Sequence, residues 1–191
     1  MKAGGGKIKG GSYEREVAKT LSLWITGGAR DDCFWRSAMS GGRATIQIKK
    51  GKTNKTQTGD ITAIDPIGAW LTDRFMIETK SYKDLELPQG ILKNSGFLHS
   101  FWIDLVQKSN NIAKCPMLIG RQNYMPELLV LSVKGEVYLR LDPQKAIAIL
   151  PLWHNARVYL FEYLTSTTCM AIKNYDIPNS PYTTSRLSRS E

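Results

Sequence analysis

The sequence predicts a single α/β domain with a mixed central sheet flanked by helices, and three observations support that prediction. The chain has 191 residues, of which 42% are hydrophobic, which suits one buried core and is too short for two domains with separate cores. Two segments of helical length carry apolar residues at helical spacing. Short apolar segments typical of strands lie between these helices and after the second one.

An amphipathic helix of about three turns is predicted near the N-terminus. Ser12 stands where an N-cap would stand, and the Gly27-Gly28 pair ends the segment. Between them, the apolar residues at helical spacing are Val17, Leu21 and Trp24. Residues 1–11 contain five Gly and three Lys, a composition that cannot bury a core. We therefore expect a flexible basic arm there.

Short strands and a basic loop are predicted for the next part of the chain. Residues 33–36 are expected to form a strand that leads into the Ser40-Gly41-Gly42 turn, and residues 44–48 alternate weakly. Residues 49–58 contain no apolar residue, and we expect a flexible loop. Residues 61–64 and 74–79 are apolar segments joined through Asp65-Pro66-Ile67-Gly68, which favours a turn and an antiparallel pair.

The second helix is predicted at residues 97–113, before Cys115-Pro116. Residues from 174 onwards are rich in Ser, Thr, Pro and Arg, and we expect a loose tail over 174–191. The single domain would then span residues 12–173. The strand candidates that follow the second helix are 117–120, 128–133 and 137–141, with 143–149 and 155–163 as further possible elements.

The charge balance indicates a polyanionic partner. The chain has 26 Lys and Arg against 17 Asp and Glu, which gives a net charge of +9. Many basic proteins bind no nucleic acid, so this observation alone does not decide the matter. In the 49–58 loop, four lysines would neutralise DNA phosphates if the chain binds DNA, and would otherwise form an ordinary soluble connection. These residues are Lys49, Lys50, Lys52 and Lys55.

Several other kinds of protein find no support in the sequence. Its three cysteines, Cys33, Cys115 and Cys169, are widely spaced and form no C-x-x-C, so neither a disulfide framework nor a zinc site is indicated. No apolar run approaches about 18 residues and no signal-peptide core is present, so we expect a cytoplasmic protein without a membrane partner. A phosphate loop, a nucleophile elbow and a histidine cluster are also missing.

The residues that carry chemistry are Asp60, Glu78 and Lys80. Strand side chains alternate between faces, so Glu78 and Lys80 would project to one side of the predicted strand, about 7 Å apart. Gly59-Asp60 begins the neighbouring strand, and pairing of the two strands would bring the Asp60 carboxylate towards Glu78. Close carboxylates repel one another unless a cation lies between them, and Mg²⁺ prefers such hard oxygen ligands. The alternative is an ordinary solvated ion pair on a strand.

The order of these motifs resembles the PD-(D/E)xK nuclease superfamily, and within it the archaeal-type Holliday junction resolvases and their viral relatives. Gly59 stands where the superfamily has a leading Pro. The resemblance covers residues 9–83 and fades afterwards. The residues that carry it are Lys9-Gly10, Glu14-Arg15-Glu16, Arg36-Ser37, Ser40-Gly41, Gly59-Asp60 and Glu78-Thr79-Lys80.

The resemblance implies a restriction-endonuclease-like fold and a role for each matched residue. Asp60 and Glu78 would hold Mg²⁺, for which Mn²⁺ would substitute, with Glu14 and the Thr79 carbonyl as further ligands. Lys80 would assist the attacking water. The three residues that would contact the phosphate backbone or support the site are Arg36, Ser37 and Ser40. The product would carry a 5′ phosphate, and symmetric cutting of a branched substrate implies a homodimer.

The sequence therefore predicts a metal-dependent DNA endonuclease of branched DNA, a Holliday junction resolvase. Three alternatives stay open: a sequence-specific or nicking endonuclease with the same site, a catalytically silent DNA-binding protein, and a basic α/β domain that binds RNA or protein. The last requires Asp60 and Glu78 to lie far apart. Four polar residues in the second half of the chain would face either phosphate or solvent: Gln107, Lys108, Arg121 and Gln122. Five aromatic residues would either stack on bases or pack in the core: Trp35, Trp70, Tyr82, Trp102 and Tyr124.

Overall fold

A computed structural model describes residues 5–37 and 58–169. The helices are α1 (Gly5–Thr26), α2 (Pro66–Arg74), α3 (Leu87–Lys93), α4 (Gly96–Asn110), α5 (Val133–Leu139) and α6 (Phe161–Ser166). The strands are β1 (Phe34–Arg36), β2 (Ile61–Ala63), β3 (Phe75–Tyr82), β4 (Cys115–Gln122), β5 (Leu128–Leu131), β6 (Ala148–Leu150) and β7 (Ala156–Leu160). Short 3₁₀ turns flank β6 at Pro143–Lys145 and Pro151–Trp153.

The main sheet has five strands in the order β3-β4-β5-β7-β6. β3 and β4 are parallel, and the remaining neighbours are antiparallel. The parallel pair needs a crossover, which α3 and α4 provide. β1 and β2 form a separate antiparallel pair. The α/β class with a mixed central sheet flanked by helices is confirmed.

The sheet is buried on both faces because its strand residues alternate between two apolar cores. Odd-numbered residues of β3 and β4, such as Ile77 and Met117, pack with α1 and β1 in one core. Even-numbered residues, such as Met76 and Leu118, pack with α4 in the other. Trp102 of α4 is fully buried there, and its indole N–H donates to the Trp153 carbonyl at 2.8 Å.

The first helix extends further than its sequence pattern indicates. α1 begins at Gly5, so the predicted N-cap at Ser12 is wrong and Ser12 lies inside the helix. The predicted end before Gly27-Gly28 is confirmed, since both glycines have positive φ and cap the helix through hydrogen bonds to Trp24 and Leu23 carbonyls. The early start was not predicted because this segment contains weak helix formers such as Gly10 and Gly11 and shows no helical spacing of apolar residues.

The predicted hairpin between residues 61–64 and 74–79 is wrong. β2 pairs with β1, and the connection from β2 to β3 is helix α2. The Asp65 carboxylate accepts a hydrogen bond from the Ile67 N–H at 2.9 Å and Pro66 occupies the first turn. An Asp-Pro pair is favourable both in a turn and at the start of a helix, where Asp is the N-cap and Pro the first helical residue. Here it starts a helix.

One further prediction in the second half of the chain is wrong. Residues 137–141 were expected as a strand, but they lie largely in α5, where Ser132 caps the helix by accepting from the Gly135 N–H. No element was predicted where α3 forms. The helix predicted at 97–113 and the strands at 117–120 and 128–133 are confirmed with slightly different bounds. The elements placed at 44–48 and 174–191 lie outside the described residues, and so does the loop at 49–58 apart from Thr58.

Three findings concern the kinds of protein that the sequence does not support: disulfide-bonded, membrane-spanning and histidine-metal proteins. The three cysteines are buried as thiols. Within the described ranges, no helix combines the length and apolar character needed to cross a membrane. His99 and His154 belong to no metal-holding group among these residues.

Candidate active site

Asp60 lies beside the outer edge of β3, the edge that does not face β4. The preceding Gly59 forms an isolated parallel bridge with Ile77, and the Asp60 N–H donates to the Ile77 carbonyl at 2.7 Å. The Asp60 carbonyl in turn accepts from the Ser37 N–H at 2.7 Å. The backbone of Asp60 is therefore fixed from both sides, although the predicted hairpin is not what brings it to β3.

Gly59 is required by this close approach. Its φ is +91°, and a Cβ at this position would lie 2.5 Å from the Ile77 carbonyl oxygen. Neither a proline, whose φ is fixed near −65°, nor any residue with a side chain fits this backbone. The departure from the superfamily's leading Pro thus has a local structural reason.

The Asp60 carboxylate is buried and bound to the backbone of β3. Its Oδ2 accepts from the Thr79 N–H at 2.9 Å, and the Thr79 hydroxyl lies 3.4 Å away. Burial, and next the charge of Glu78, raise the pKa of Asp60 to about 7, against the lowering effects of Lys80 and the Thr79 N–H. The Lys80 charge and the Thr79 N–H therefore do not offset the burial of the Asp60 carboxylate and the repulsion from Glu78.

Glu78 and Lys80 form the ion pair that strand alternation predicts. Lys80 Nζ lies 2.6 Å from Glu78 Oε1, and both side chains are largely buried. Burial lowers the pKa of Lys80, but the nearby Glu78 and Asp60 carboxylates outweigh it, so the net shift is upwards. Lys80 is consequently a charged hydrogen-bond donor at neutral pH and cannot serve as a general base.

Glu14 approaches the same region from α1. Its charge contributes to the raised pKa of Asp60. Glu14 Oε2 lies 2.8 Å from Arg36 Nε in an ion pair, and within 5–37 and 58–169 that buried oxygen accepts no hydrogen bond. Arg36 reaches across α1 because Gly11 has no side chain: a Cβ there would lie 3.0 Å from Arg36 Nη1.

β1 is itself attached to α1, which fixes where Arg36 lies. The Ser22 hydroxyl in α1 accepts hydrogen bonds from the N–H groups of Cys33 and Phe34, each at 3.1 Å. Hydrogen bonds therefore link α1 to β1, β1 to β2, and the residues before β2 to β3. Glu14 lies in α1, Asp60 directly precedes β2, and Glu78 and Lys80 lie in β3. The charges of the other three all act on the Asp60 carboxylate beside the outer edge of β3.

The donor set fits a hard divalent cation. It consists of carboxylate oxygens, and the Asp60 carboxyl among them is buried with a raised pKa, which is the environment that a cation would stabilise. The Thr79 N–H points to the outer edge of β3, and so does its carbonyl, because both groups of a strand residue face one edge. In the ion-paired arrangement seen over the described residues, no three acidic, His or Cys side chains are gathered closely enough to hold a metal.

The residues predicted to contact DNA are placed differently from one another. Ser37 is buried, and its N–H supports Asp60, which favours the supporting role. Arg36 remains partly exposed beside Glu14. The other five lie outside the described residues: Ser40, Lys49, Lys50, Lys52 and Lys55. Lys108 pairs with Asp104 on an exposed helix face, as the solvated alternative predicts.

Arg121 has a structural role that the sequence did not indicate. Its guanidinium donates to both carboxylate oxygens of Glu16 and to Glu127, and it lies over the Tyr13 ring with 4.4 Å to the centroid. These contacts tie α1 to β4 about half a turn from Glu14. The sequence signal for a basic partner of this kind is Glu16, the second acid of Glu14-Arg15-Glu16.

Comparison with known proteins gives one match. A family model described as "Phage putative PDDEXK endonuclease" matches residues 5–174. Among the curated proteins and the solved structures, nothing matches the chain. The match covers every described element and the four predicted site residues, and with the mixed sheet it confirms the restriction-endonuclease-like fold.

Proposed function

The chain belongs to the family of phage PD-(D/E)xK endonucleases, and we propose that it is a divalent-metal-dependent DNA endonuclease for branched DNA, with Glu14, Asp60, Glu78 and Lys80 as its site. One observation carries the assignment of the site. The Asp60 carboxylate is bound to the Thr79 N–H, between Glu78 and Lys80 on the same strand. This proximity supports the nuclease over the basic α/β domain that binds RNA or protein, which required Asp60 and Glu78 to lie far apart.

The proposed Mg²⁺ would be held by Asp60, Glu78 and Glu14, with the Thr79 carbonyl as a further ligand, and Mn²⁺ would find the same oxygen donors. When bound, the cation supplies Lewis acidity that activates water and offsets the charge of the phosphate. Glu78 would turn from Lys80 towards the cation. Lys80 would then direct its N–H donors at the attacking water or at a phosphoryl oxygen.

The ion pair between Lys80 and Glu78 thus keeps both groups charged in the metal-free protein. Neither side chain pays the full cost of a buried unpaired charge, because each neutralises the other. While Glu78 is paired with it, Lys80 has a raised pKa, so its ammonium is charged before the cation binds. Lys80 would therefore enter the proposed reaction as a hydrogen-bond donor.

Branched DNA is proposed as the substrate because the ordered motifs resemble those of archaeal-type Holliday junction resolvases. A four-way junction has two equivalent cutting positions, which a two-fold homodimer would supply. In a phage family, the proposed place of action is the host cytoplasm. A sequence-specific or nicking endonuclease would use the same site and differ in its DNA contacts.

The test is cleavage of a labelled four-way junction and of a linear duplex with the same arms, in Mg²⁺ or in EDTA. We expect the wild type to cut the junction in Mg²⁺ only, and Glu78→Ala to lose cutting by about 100-fold or more while it still binds DNA. Glu162→Ala, an exposed acid on α6, is the matched control and should cut normally.

Each other outcome has a defined meaning. Equal cutting of junction and duplex would replace the branched substrate by the sequence-specific or nicking alternative. Binding without cutting in Mg²⁺ or Mn²⁺ would leave a catalytically silent DNA-binding protein and refute the proposed enzyme.

A further inference from the structure

Three aromatic side chains form a partly exposed surface next to the candidate site. Tyr82 at the end of β3 and Phe97 in the first turn of α4 are 40% and 47% exposed. Their rings stack with centroids 5.8 Å apart, and the Phe101 ring lies 5.2 Å from Tyr82 and 6.3 Å from Phe97. We call these three residues the aromatic platform.

The aromatic platform is continuous with the proposed catalytic residues. Glu78, Lys80 and Tyr82 are alternate residues of β3 and project to the face that α4 covers. Lys80 Nζ lies 2.6 Å from the Glu78 carboxylate and 5.3 Å from the centroid of the Phe101 ring. A group placed on the platform would therefore lie within about 7 Å of Lys80 along the strand.

The local backbone holds the platform in place. The Glu86 carboxylate accepts from the Phe97 N–H at 3.1 Å, and the Leu98 N–H donates to the Leu85 carbonyl at 3.2 Å. Gly96 has a φ of +89°, so the chain turns sharply into α4 just before Phe97. Because the rings are positioned in advance, a ligand that stacks on them orders few additional side chains.

We propose that the aromatic platform stacks an unstacked nucleobase of the DNA strand that is cut. This inference rests on the proposed function. Exposed rings that adjoin a lysine suit a ligand with both a flat π-face and a phosphate, which is the chemistry of a nucleotide. Lys83, exposed directly after Tyr82, adds a second cation for the backbone.

The platform would also contribute to the choice of substrate. In an intact duplex, each base is covered on both faces by its neighbours, so no face is available to a protein ring. At a branch point, a flap or a single-stranded gap, bases become unstacked and accessible. A platform next to the cutting residues thus selects for DNA that is already distorted at that position.

The first test is photocrosslinking with 5-iodouracil placed at successive positions around the branch of a four-way junction. The full chain is used without metal and with Ca²⁺, and crosslinked peptides are identified by mass spectrometry. We expect crosslinks to Tyr82 or Phe97 from positions next to the branch, and none from the same base inside a linear duplex. Crosslinks elsewhere only, with junction binding intact, would overturn the inference.

The second test compares variants at Phe97, which lies outside the proposed catalytic residues. Phe97→Ala and Phe97→Leu should weaken junction binding by about 5- to 150-fold, whereas Phe97→Trp should retain it. The Leu variant keeps an apolar side chain but no π-face, so it separates stacking from simple packing. Binding of linear duplex should change by less than about 2-fold in all three.

The outcomes distinguish this inference from the proposed function. If Mg²⁺-dependent cutting of the junction persists and the Phe97 variants bind it as the wild type does, the inference about the aromatic platform is wrong and the proposed endonuclease activity is unaffected. If Phe97→Ala instead changes the oligomeric state in sedimentation, the rings form a protein interface and the inference is wrong. If the chain binds no DNA, both proposals fall.

Discussion

Asp60 is a buried acid that should lower stability at the proposed site. The residue is 7% exposed, and one oxygen of its carboxylate accepts a hydrogen bond from the Thr79 N–H. Burial and the neighbouring Glu78 charge nevertheless raise its pKa to about 7 from the ordinary 3.8. A residue selected for stability alone would not be ionisable at this position.

The stability of the metal-free protein should therefore depend on pH through Asp60. Below pH 3.8 the carboxyl is protonated in both the folded and the unfolded chain. As the pH rises towards about 7, the unfolded chain loses this proton first, so the folded state loses stability, by up to about 4 kcal/mol. Above that pH the loss is constant.

Asp60→Asn should remove this dependence. We expect the variant to gain stability relative to the wild type as the pH rises from 4 to 8 in EDTA, measured by urea unfolding. Asp104→Asn, which changes an exposed acid on α4, should give a nearly constant difference across the same range. Parallel curves for Asp60→Asn and the wild type would contradict the raised pKa.

Gly59 provides a second test at this scale. Gly59→Ala should cost about 1–3 kcal/mol through its backbone conformation, and more through the contact with the Ile77 carbonyl, which a Cβ would approach to 2.5 Å. Gly28 has the same φ of +91° with no atom within 4 Å of a Cβ, so Gly28→Ala reports the conformational cost alone. Chemical denaturation of both variants should show Gly59→Ala to be the less stable.

At the scale of elements, the site depends on how α1 is attached to the sheet. Arg121 of β4 contacts Glu16 and Tyr13 of α1 as well as Glu127. Glu14 lies about half a turn from Glu16, so the same attachment sets where Glu14 meets Asp60. Guanidinium groups suit this role because one side chain can engage several acceptors at fixed angles.

A double-mutant cycle on Arg121→Met and Glu16→Gln should measure this attachment. We expect a coupling energy of about 1 kcal/mol in urea unfolding, since the pair is bidentate but partly exposed. The control cycle uses Lys108 and Asp104, an exposed i,i+4 pair on α4, for which about 0.3–0.5 kcal/mol is expected. A coupling for Arg121 no larger than the control would reduce it to a surface contact.

The elements also show which features a sequence can predict. Glu78 and Lys80 were placed correctly because strand alternation is a local rule. The contact of Asp60 with β3 was expected for the wrong reason, since residues 66–74 form a helix and the pairing runs through Gly59 instead. The Arg121 network joins residues 105 positions apart in the chain, and the aromatic platform joins β3 to α4, so no local pattern contained either.

At the scale of the whole molecule, the net charge of +9 makes DNA binding dependent on salt. Each lysine that neutralises a phosphate adds about 0.9 to the slope of log K against log salt concentration. The predicted DNA-binding lysines between residues 49 and 55 would contribute a large part of that slope. The proposed catalytic residues on β3 follow them in the chain.

Replacing Lys49, Lys50, Lys52 and Lys55 with Gln should therefore lower the salt slope by about 3–4, measured by fluorescence anisotropy between 50 and 300 mM NaCl. Lys145→Gln is the control, because this lysine precedes β6 at the opposite edge of the sheet from β3, and it should change the slope by less than about 1. An unchanged slope in the fourfold variant would place DNA binding elsewhere.

The position of β3 at the sheet edge has a consequence for synthesis of the protein. The inner edge of β3 is hydrogen-bonded to β4 alone, and β4 ends at Gln122. A growing chain contains Glu14, Asp60, Glu78 and Lys80 before β4 has been synthesised, and until then the inner edge of the strand that carries two of them is unpaired. We therefore expect the nascent protein to hold every proposed cutting residue without a complete site until β4 pairs with β3.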